Sequence, residues 1–237
     1  MRDLGRVLAH IPARAGSKRV KAKNLRLING KPLLAYSVEA ALGASSEFDG
    51  VFVNSDSDDM LRLASELGAS IYKRSEELAS DTATGDEFTY DFILQEKPDT
   101  LVMISPVCPL IDSSDILNAI AQFKISQCDT LITCEQTQMQ TFCEDKAINI
   151  DADGQLRPSQ ENPIVQILNW AVTIWDAKVF VDNFEKYGSA YIGKNRELLA
   201  IDPIKAVKIS KEDDFALAEA LIRSQSEIKK TGPVYWS

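Results

Sequence analysis

The stretch "GVFVNSDSDDMLRLASELGASIYK", residues 50–73, decides the fold class because a strand, a helix and a second strand follow one another in it. GVFVNS is apolar and rich in β-forming residues. SDDMLRLASELG carries apolar residues at helical spacing, with Ser57 or Asp56 as N-cap and Gly68 just past its end. SIYK is a further β-prone run. Two strands joined through a helix run parallel in one sheet, so this unit predicts a parallel α/β fold.

The same alternation continues on both sides of this unit as far as residue 140. Further strands are predicted in GRVLAHI, TLVMIS and DTLITCE, at residues 5–11, 100–105 and 129–135. Further helices are predicted in KPLLAYSVEAAL, TGDEFTYDFILQEK and DSSDILNAIAQFK, at residues 31–42, 84–97 and 112–124, the last with a capping-box start. We therefore expect a three-layer α/β architecture, with a mostly parallel, twisted sheet between helices.

The pattern changes after residue 140. AINIDADGQLRP, residues 147–158, predicts two short strands about the turn at Asp153 and Gly154, and VQILNWAVTIW, residues 165–175, predicts a buried strand. IKAVKIS, residues 204–210, predicts a last strand. SKEDDFALAEALIRSQ, residues 210–225, predicts a last helix with Ser210 and Asp213 at capping-box spacing. We expect a single domain over residues 1–237, with a small insertion at approximately 140–190.

Composition restricts the classes of partner. The chain has 26 Lys and Arg against 35 Asp and Glu, a formal net charge of -9. This balance argues against binding to nucleic acid or to an anionic membrane surface. No stretch approaches the roughly 20 apolar residues that span a bilayer, and the N-terminus lacks a secretory pattern, so we expect a cytoplasmic protein. The four cysteines have no CxxC spacing and His10 is the single histidine, which disfavours a zinc site.

One early loop, ARAGSKRVKAKN at residues 13–24, is strongly basic in this acidic chain. It follows the first predicted strand, and ligands of parallel sheets bind beyond the carboxyl ends of the strands. Gly16 and Ser17 offer backbone N–H groups, while Arg14, Lys18 and Lys23 offer charge, which suits a triphosphate or a leaving pyrophosphate. The loop is neither a Walker A motif nor a GxGxxG motif. The alternative is an ordinary solvated loop.

Three segments together indicate a family: residues 11–42, IPARAGSKRVKAKNLRLINGKPLLAYSVEAAL; residues 51–69, VFVNSDSDDMLRLASELGA; and residues 74–87, RSEELASDTATGDE. Their sequence resembles that of the sugar-acid cytidylyltransferases, which include the CMP-sialic acid and CMP-Kdo synthetases. The resemblance implies a Rossmann-like nucleotidyltransferase fold. It also implies transfer of CMP from CTP to a sugar or sugar acid for surface-glycan biosynthesis, with release of pyrophosphate.

The resemblance also implies roles for particular residues. The nucleotide-binding set it implies is Arg14, Ala15, Gly16, Ser17, Lys18, Lys23, Asn24, Arg74 and Asp81. Within it, Arg14 and Lys23 are the expected catalytic residues, because positive charge is needed where the phosphate oxygens gain negative charge. Ser105 and Asn169 are the expected acceptor-binding residues. Mg²⁺ is the implied cofactor, and the implied assembly is a homodimer in which the insertion reaches the acceptor site of the partner.

The second half departs from the family pattern. SPVCPLI has Ser105 and Ile111 where the family usually has glutamine and arginine, and Trp170 stands where glycine is usual. KIS, residues 208–210, replaces an Asp-Ile-Asp motif whose aspartates hold Mg²⁺ in the family. Either another carboxylate substitutes, or Lys208 supplies part of the cation's charge, or catalysis is impaired. The nearest candidate carboxylates are Asp202, Asp213 and Asp214, although the last two also suit the first turn of a helix.

Two alternative functions stay open, and the departures suggest the first of them. A non-catalytic paralogue that binds a nucleotide or sugar needs none of the missing side chains. A metal-dependent glycosyltransferase is suggested by the DSD at residues 56–58, which matches the DxD pattern, although capping of the following helix explains those residues better. His10 lies within a predicted strand, and we expect it to be packed rather than bound to a ligand.

Overall fold

The computed structural model of the chain describes residues 1–16 and 20–227. Its strands are β1 Val7–Pro12, β2 Leu27–Ile28, β3 Lys31–Pro32, β4 Gly50–Ser55, β5 Ser70–Lys73, β6 Thr100–Ile104, β7 Thr130–Thr137, β8 Phe142–Cys143, β9 Lys146–Ala147, β10 Val165–Asp176 and β11 Arg196–Ala200. Its α-helices are α1 Leu33–Gly43, α2 Asp58–Glu66, α3 Gly85–Glu96, α4 Ser113–Ile125, α5 Ala177–Tyr187 and α6 Glu212–Glu227.

Seven strands form one sheet in the order β11-β7-β10-β6-β1-β4-β5. β1 pairs in parallel with β4 and β6, β4 with β5, and β7 with β11. β10 is antiparallel to both of its neighbours, β6 and β7, so it alone in this sheet is reversed. The predicted mostly parallel sheet is confirmed, and its parallel strands bring their carboxyl ends to one edge.

The core lies on both faces of this sheet. Alternate side chains of β1 separate the two sides, since Ala9 and Ile11 pack with α1 and α4 whereas Leu8 packs with Phe92 of α3 and Phe180 of α5. This alternation is what a central strand with two covered faces requires. The predicted three layers, helices on either side of one sheet, are confirmed.

Local sequence explains where the helices of the first half begin. Ser57 caps α2 by accepting a hydrogen bond from the backbone N–H of Met60, so of the two predicted caps Ser57 is correct. α3 begins with a capping box between Thr84 and Glu87. α4 begins with the predicted capping box, formed by Asp112 and Asp115.

Two predictions in the second half are wrong. The hairpin turns at Glu144 and Asp145, both at positive φ, and not at Asp153 and Gly154, where the Asp151 carboxylate instead accepts the N–H of Asp153. Residues 204–210 form a turn and a loop rather than a strand. Ile209 of that loop is fully buried, so its apolar spacing reflects packing along the core and not a β ladder.

The sequence does not predict β11 or α5, nor the two-residue strands β2, β3 and β8. β11 is a short strand with two charged residues at its start, paired on one side only at the edge of the sheet. The range proposed for the insertion also includes β10, which lies inside the seven-stranded sheet. The part before Val165, with the β8–β9 hairpin, lies outside that sheet, and the part after Asp176 forms α5. No helix within the described ranges is long and apolar enough to cross a membrane.

Candidate active site

A cavity of about 770 Å³ opens at the carboxyl ends of β1 and β6. Three of its lining side chains are cationic, Arg14, Lys23 and Lys208, and none of the lining residues in the described ranges is acidic. Trp170 and Tyr191 add an aromatic side, in ring contact with a centroid separation of 5.3 Å. The cavity is therefore suited to a polyanionic ligand that carries a ring or other apolar part.

The basic loop is held at this edge by backbone contacts. The N–H of Ala13 donates to the carbonyl of Asn54 at the end of β4. The N–H of Ala15 donates to the Asp56 carboxylate at 2.8 Å. Asp56 thus fixes the loop instead of capping α2. Gly16 lines the cavity and has open space where a Cβ would lie, as a close approach of backbone to ligand requires.

Ser80 and Asp81, which lie between β5 and α3, orient Arg14. Its guanidinium donates to the carbonyl of Ser80 at 3.0 Å and pairs with the Asp81 carboxylate at 3.3 Å. The structure therefore brings these two predicted site residues together, with Asp81 bound to Arg14 and Arg14 lining the cavity. Because both side chains are substantially exposed, the ion pair contributes more to orientation than to stability.

Lys23 and Asn24 begin a short 3-10 helix behind the loop. Lys23 Nζ donates to the carbonyl of Ile209 at 3.1 Å, which ties the loop to the segment before α6. The Asn24 amide donates to the carbonyl of Arg14, while its buried Oδ1 has no partner within the described residues. Ser17 and Lys18, the other predicted nucleotide contacts, lie outside the described residues.

Arg74 does not line the cavity. It is 3% exposed, and its Nε donates to Asn54 Oδ1 at 2.7 Å while its guanidinium stacks on the Phe88 ring at 4.3 Å. Burial lowers the pKa of Arg74 to about 10. Since the carbonyl of Asn54 accepts from both Arg74 and Ala13, Arg74 fixes the strand end from which the basic loop starts.

His10 belongs to the same buried group and is packed, as predicted. Its ring is fully buried and stacks on Phe92 with centroids 4.4 Å apart. Because Asn54 Oδ1 accepts from Arg74, the amide nitrogen of Asn54 faces His10 Nε2 at 3.0 Å and donates to it. The imidazole is therefore neutral with its proton on Nδ1.

The residues predicted to bind the acceptor include Asn169, which lies at an irregularity in β10. The register of β10 against β7 shifts between Leu168 and Thr173, and Trp170 in between has a φ of 61°. Asn169 Oδ1 accepts from Thr133 Oγ1 at 2.7 Å, and its buried Nδ2 has no partner within the described residues. Ser105 lines the cavity, as expected of an acceptor contact. Asn169, the residue directly before Trp170, does not line it.

Residues 8–155 match the cytidylyltransferase family. That is more than half of the chain. The chain belongs to the cytidylyltransferase family.

Relatives at the sequence level cover this cytidylyltransferase almost completely. The CMP-N,N'-diacetyllegionaminic acid synthase of Legionella pneumophila is 31% identical over 238 residues, 94% of this chain and 98% of that protein. The N-acylneuraminate cytidylyltransferase of Escherichia coli is 31% identical over 207 residues, 83% of this chain and 49% of that protein.

Solved structures share the fold. A CMP:2-keto-3-deoxy-manno-octonic acid synthetase complexed with CTP has a TM-score of 0.69 at 14% identity, covering 93% of this chain and 99% of that one. A 4-diphosphocytidyl-2C-methyl-D-erythritol synthase from Anaerococcus prevotii has a TM-score of 0.67, also at 14% identity, covering 93% and 97%. At that identity the likeness shows the fold, which is the expected nucleotidyltransferase fold.

Cytidylyltransferases commonly use Mg²⁺, but among the described residues no carboxylate lines the cavity. Within the described ranges no group of three or more His, Cys, Asp or Glu side chains is placed to hold a metal. Asp202 accepts the N–H of Ile204, and Asp213 is exposed beside Lys211. Asp214 accepts the N–H groups of Ser210 and Lys211, so it takes the capping position expected of Asp213. None of the three candidates lines the cavity.

Reasoning from sequence missed several residues of the site. Tyr191 and Met103 line the cavity, and Asn54 and Asp56 hold the loop. Lys208 was noted as a replacement in the metal motif, but its place in the cavity was not predicted. The DSD pattern was the one local signal for Asp56. Met103, Tyr191 and Lys208 come from segments far apart in sequence that only the fold brings together.

Proposed function

We propose that the protein transfers CMP from CTP to a hydroxyl group of an acidic sugar of the sialic, legionaminic or Kdo class, with release of pyrophosphate. The observation that carries the proposal is the cavity lined by Arg14, Lys23 and Lys208 at the carboxyl ends of β1 and β6. The names of the relatives support the acidic acceptor, since the sequence relatives described above are named for N,N'-diacetyllegionaminic acid, as its CMP derivative, and for N-acylneuraminate.

In this reaction the acceptor hydroxyl oxygen forms a bond to the α-phosphorus of CTP and loses its proton. The bond from the α-phosphorus to the bridging oxygen breaks, and pyrophosphate leaves with that electron pair. Negative charge grows on the phosphate oxygens as this happens, so fixed positive charge lowers the barrier. Arg14 and Lys23 are held in place by Ser80, Asp81 and Ile209, and they supply such charge without first reorganising.

The polar groups near the basic loop suit the nucleotide end of the ligand. The proposed nucleotide contacts are Arg14, Ala15, Gly16, Ser17, Lys18, Lys23 and Asn24. Arg74 and Asp81 act indirectly, because one fixes the end of β4 and the other orients Arg14. Ser105 and Asn169 are the proposed acceptor residues, of which Ser105 lines the cavity and Asn169 lies next to the cavity-lining Trp170 in sequence.

Nucleotide selectivity tests the proposal. A ligand that binds only the folded protein stabilises it by RT ln(1 + [L]/Kd), about 2.7 kcal/mol at a hundredfold excess over Kd. Thermal unfolding with CTP, UTP, ATP and GTP at equal concentration measures this directly. We expect the largest increase in Tm with CTP. Equal increases, or none, would remove the cytidine assignment.

A second candidate function is nucleotide or sugar binding without catalysis. The absence of a carboxylate cluster among the described residues favours it, since members of the family commonly use Mg²⁺. CTP binding without pyrophosphate release across a panel of keto-sugar acids would support this candidate. Turnover with any acceptor in the panel eliminates it.

A homodimer is part of the proposal. Several large apolar side chains of the segment outside the main sheet and the start of β10 are at least 45% exposed: Met139, Phe142, Ile148, Leu156, Ile164 and Ile167. Exposed apolar side chains concentrated in one segment are typical of a surface that a partner covers. Trp170 follows this segment and lines the cavity, which supports an interface close to the proposed acceptor residues.

A further inference from the structure

We infer that Lys208 supplies, with Lys23 and Arg14, the positive charge that the triphosphate needs, so that CTP binds without a divalent cation held by the protein. The inference rests on the proposed function and extends it to the metal requirement. It is consistent with a lysine at the place where the family resemblance implies a metal-binding aspartate.

The backbone around Lys208 is fixed to both sides of the cavity. The N–H of Ile209 donates to the carbonyl of Val107, in the loop after β6, at 2.9 Å. The carbonyl of Ile209 accepts from Lys23 Nζ at 3.1 Å. Ile209 itself is fully buried. Lys208 is therefore held at the rim between the β6 side and the basic loop.

The ammonium group of Lys208 is available to a ligand. Its side chain lines the cavity, is exposed, and makes no hydrogen bond or ion pair with any residue in the described ranges. Two neighbouring lysines differ in this respect. Lys205 donates to Asp112 at 2.7 Å and to Asp115 at 2.8 Å, and Lys211 lies 3.7 Å from Asp213.

Three carboxylates that contact the basic loop or the segment before α6 already have hydrogen-bond or ion-pair partners. Asp56 accepts from the backbone of Ala15, Asp81 pairs with Arg14, and Asp214 accepts from two backbone N–H groups. The residues beyond the described ranges, SKR at 17–19 and IKKTGPVYWS at 228–237, contain no Asp, Glu, His or Cys. These sequences thus add no acidic side chain to the site.

A cavity lined by three cations repels a divalent ion but attracts the negative charge of free CTP. A fixed ammonium group and a metal ion both neutralise phosphate oxygens, so one can replace part of the other's charge. The chain provides this charge from side chains whose backbones are fixed, and it does not need to bind an ion first.

Calorimetric titration of the full chain with CTP, once in EDTA and once in Mg²⁺, tests the inference. We expect the Kd of the wild type in EDTA to lie within about threefold of its Kd in Mg²⁺. Lys208→Gln weakens CTP in EDTA by about tenfold or more, the loss typical of one charged contact, and Lys208→Arg restores binding. Lys211→Gln is the matched control and leaves CTP binding unchanged.

In the CTP titrations, two results would overturn the inference: a wild-type Kd that is at least tenfold weaker in EDTA, or a Lys208→Gln variant that binds as Lys211→Gln does. The Tm of each ligand-free variant shows whether it is folded. Inorganic pyrophosphate, titrated in EDTA, separates this inference from the proposed function. If pyrophosphate binding depends on Lys208 while CTP binds no better than ATP, the charge inference holds and the cytidine assignment fails. If pyrophosphate binds wild type and Lys208→Gln equally, the inference fails whatever the nucleotide preference.

Discussion

At the scale of single residues, Arg14 and Lys23 determine where positive charge is held in the cavity. Arg14 and Lys23 each combine a cavity-lining position with a hydrogen bond to a backbone carbonyl, of Ser80 and of Ile209 respectively. Such bonds orient a flexible side chain before the ligand arrives, so less ordering is needed in the transition state. The proposed chemistry therefore depends on where the Arg14 guanidinium and the Lys23 ammonium group are held.

Replacing Arg14 or Lys23 by alanine should reduce kcat far more than stability. Losing one positioned charge contact typically raises the barrier by about 3 kcal/mol, roughly a hundredfold in rate. Lys31→Ala is the control, because Lys31 pairs with Glu39 at 2.5 Å on the surface and does not line the cavity. We expect its stability to change by no more than about 0.5 kcal/mol. If both site variants kept near wild-type kcat and CTP affinity, the basic loop would be an ordinary solvated loop without a role in binding.

His10 should make the stability of the protein fall below about pH 6.5. Burial, with a smaller effect from the charge of Arg74, lowers the pKa of His10 well below its usual value. The unfolded chain therefore binds a proton that the folded chain does not, and stability decreases as the pH falls, by up to about 1.4 kcal/mol per pH unit.

Denaturant unfolding between pH 6.5 and 5 measures this slope. His10→Gln is the matched variant, because glutamine keeps an acceptor for the Asn54 amide but does not titrate. Since His10 is the single histidine of the chain, the difference in slope belongs to it alone. Equal slopes in the two proteins would contradict the buried neutral imidazole.

At the scale of elements, local sequence determined most of the first half. β4 and β5 have the bounds predicted, Gly50–Ser55 and Ser70–Lys73, and α4 begins at its predicted capping box. The hydrophobic period of each of these elements is visible in its own residues. The caps of α2 and α4 are the residues directly before each helix. The sequence of β11, by contrast, has no clear period, and its pairing with β7 is decided by the sheet.

The site follows the same division. The basic loop was predictable because its charges are contiguous in sequence. Lys208 and Tyr191 were not predictable as neighbours of Lys23 and Trp170, because the chain between them has to fold first. The apolar alternation of residues 204–210 indicated a strand, but the N–H of Ile209 bonds to the loop residue Val107.

The irregularity of β10 gives a prediction that separates its two tryptophans. Trp170 has a φ of 61°, a conformation that costs a non-glycine residue on the order of 1 kcal/mol or more. In Trp170→Gly this relief offsets lost ring contact with Tyr191, so the free energy of unfolding should change by no more than about 1 kcal/mol.

Trp175, 1% exposed, is the comparison. Trp175→Ala should cost about 3 to 5 kcal/mol, because it leaves a cavity in the core between β10 and α5. Urea unfolding of the two variants measures both values. If Trp170→Gly lowers the free energy of unfolding as much as Trp175→Ala does, packing of the Trp170 ring outweighs the strain of its positive φ.

At the scale of the whole molecule, the exposed apolar residues before and at the start of β10 predict self-association. Light scattering at micromolar concentration should give twice the chain mass of 26.2 kDa. Ile167→Asp, a change at a 45% exposed position, should shift the species toward the monomer without lowering Tm by core disruption. A single species of 26.2 kDa for the wild type would contradict the dimer.

The most direct measurement of the account is product formation from CTP and a panel of keto-sugar acids, with and without added Mg²⁺. Pyrophosphate is assayed, and the nucleotide product is identified by mass spectrometry. We expect pyrophosphate and a CMP-sugar in equal amounts, only when CTP and an acidic sugar are both present, and about a hundredfold less with Lys23→Ala. CTP binding with no pyrophosphate or CMP-sugar from any acceptor, under either condition, would contradict the proposed transfer.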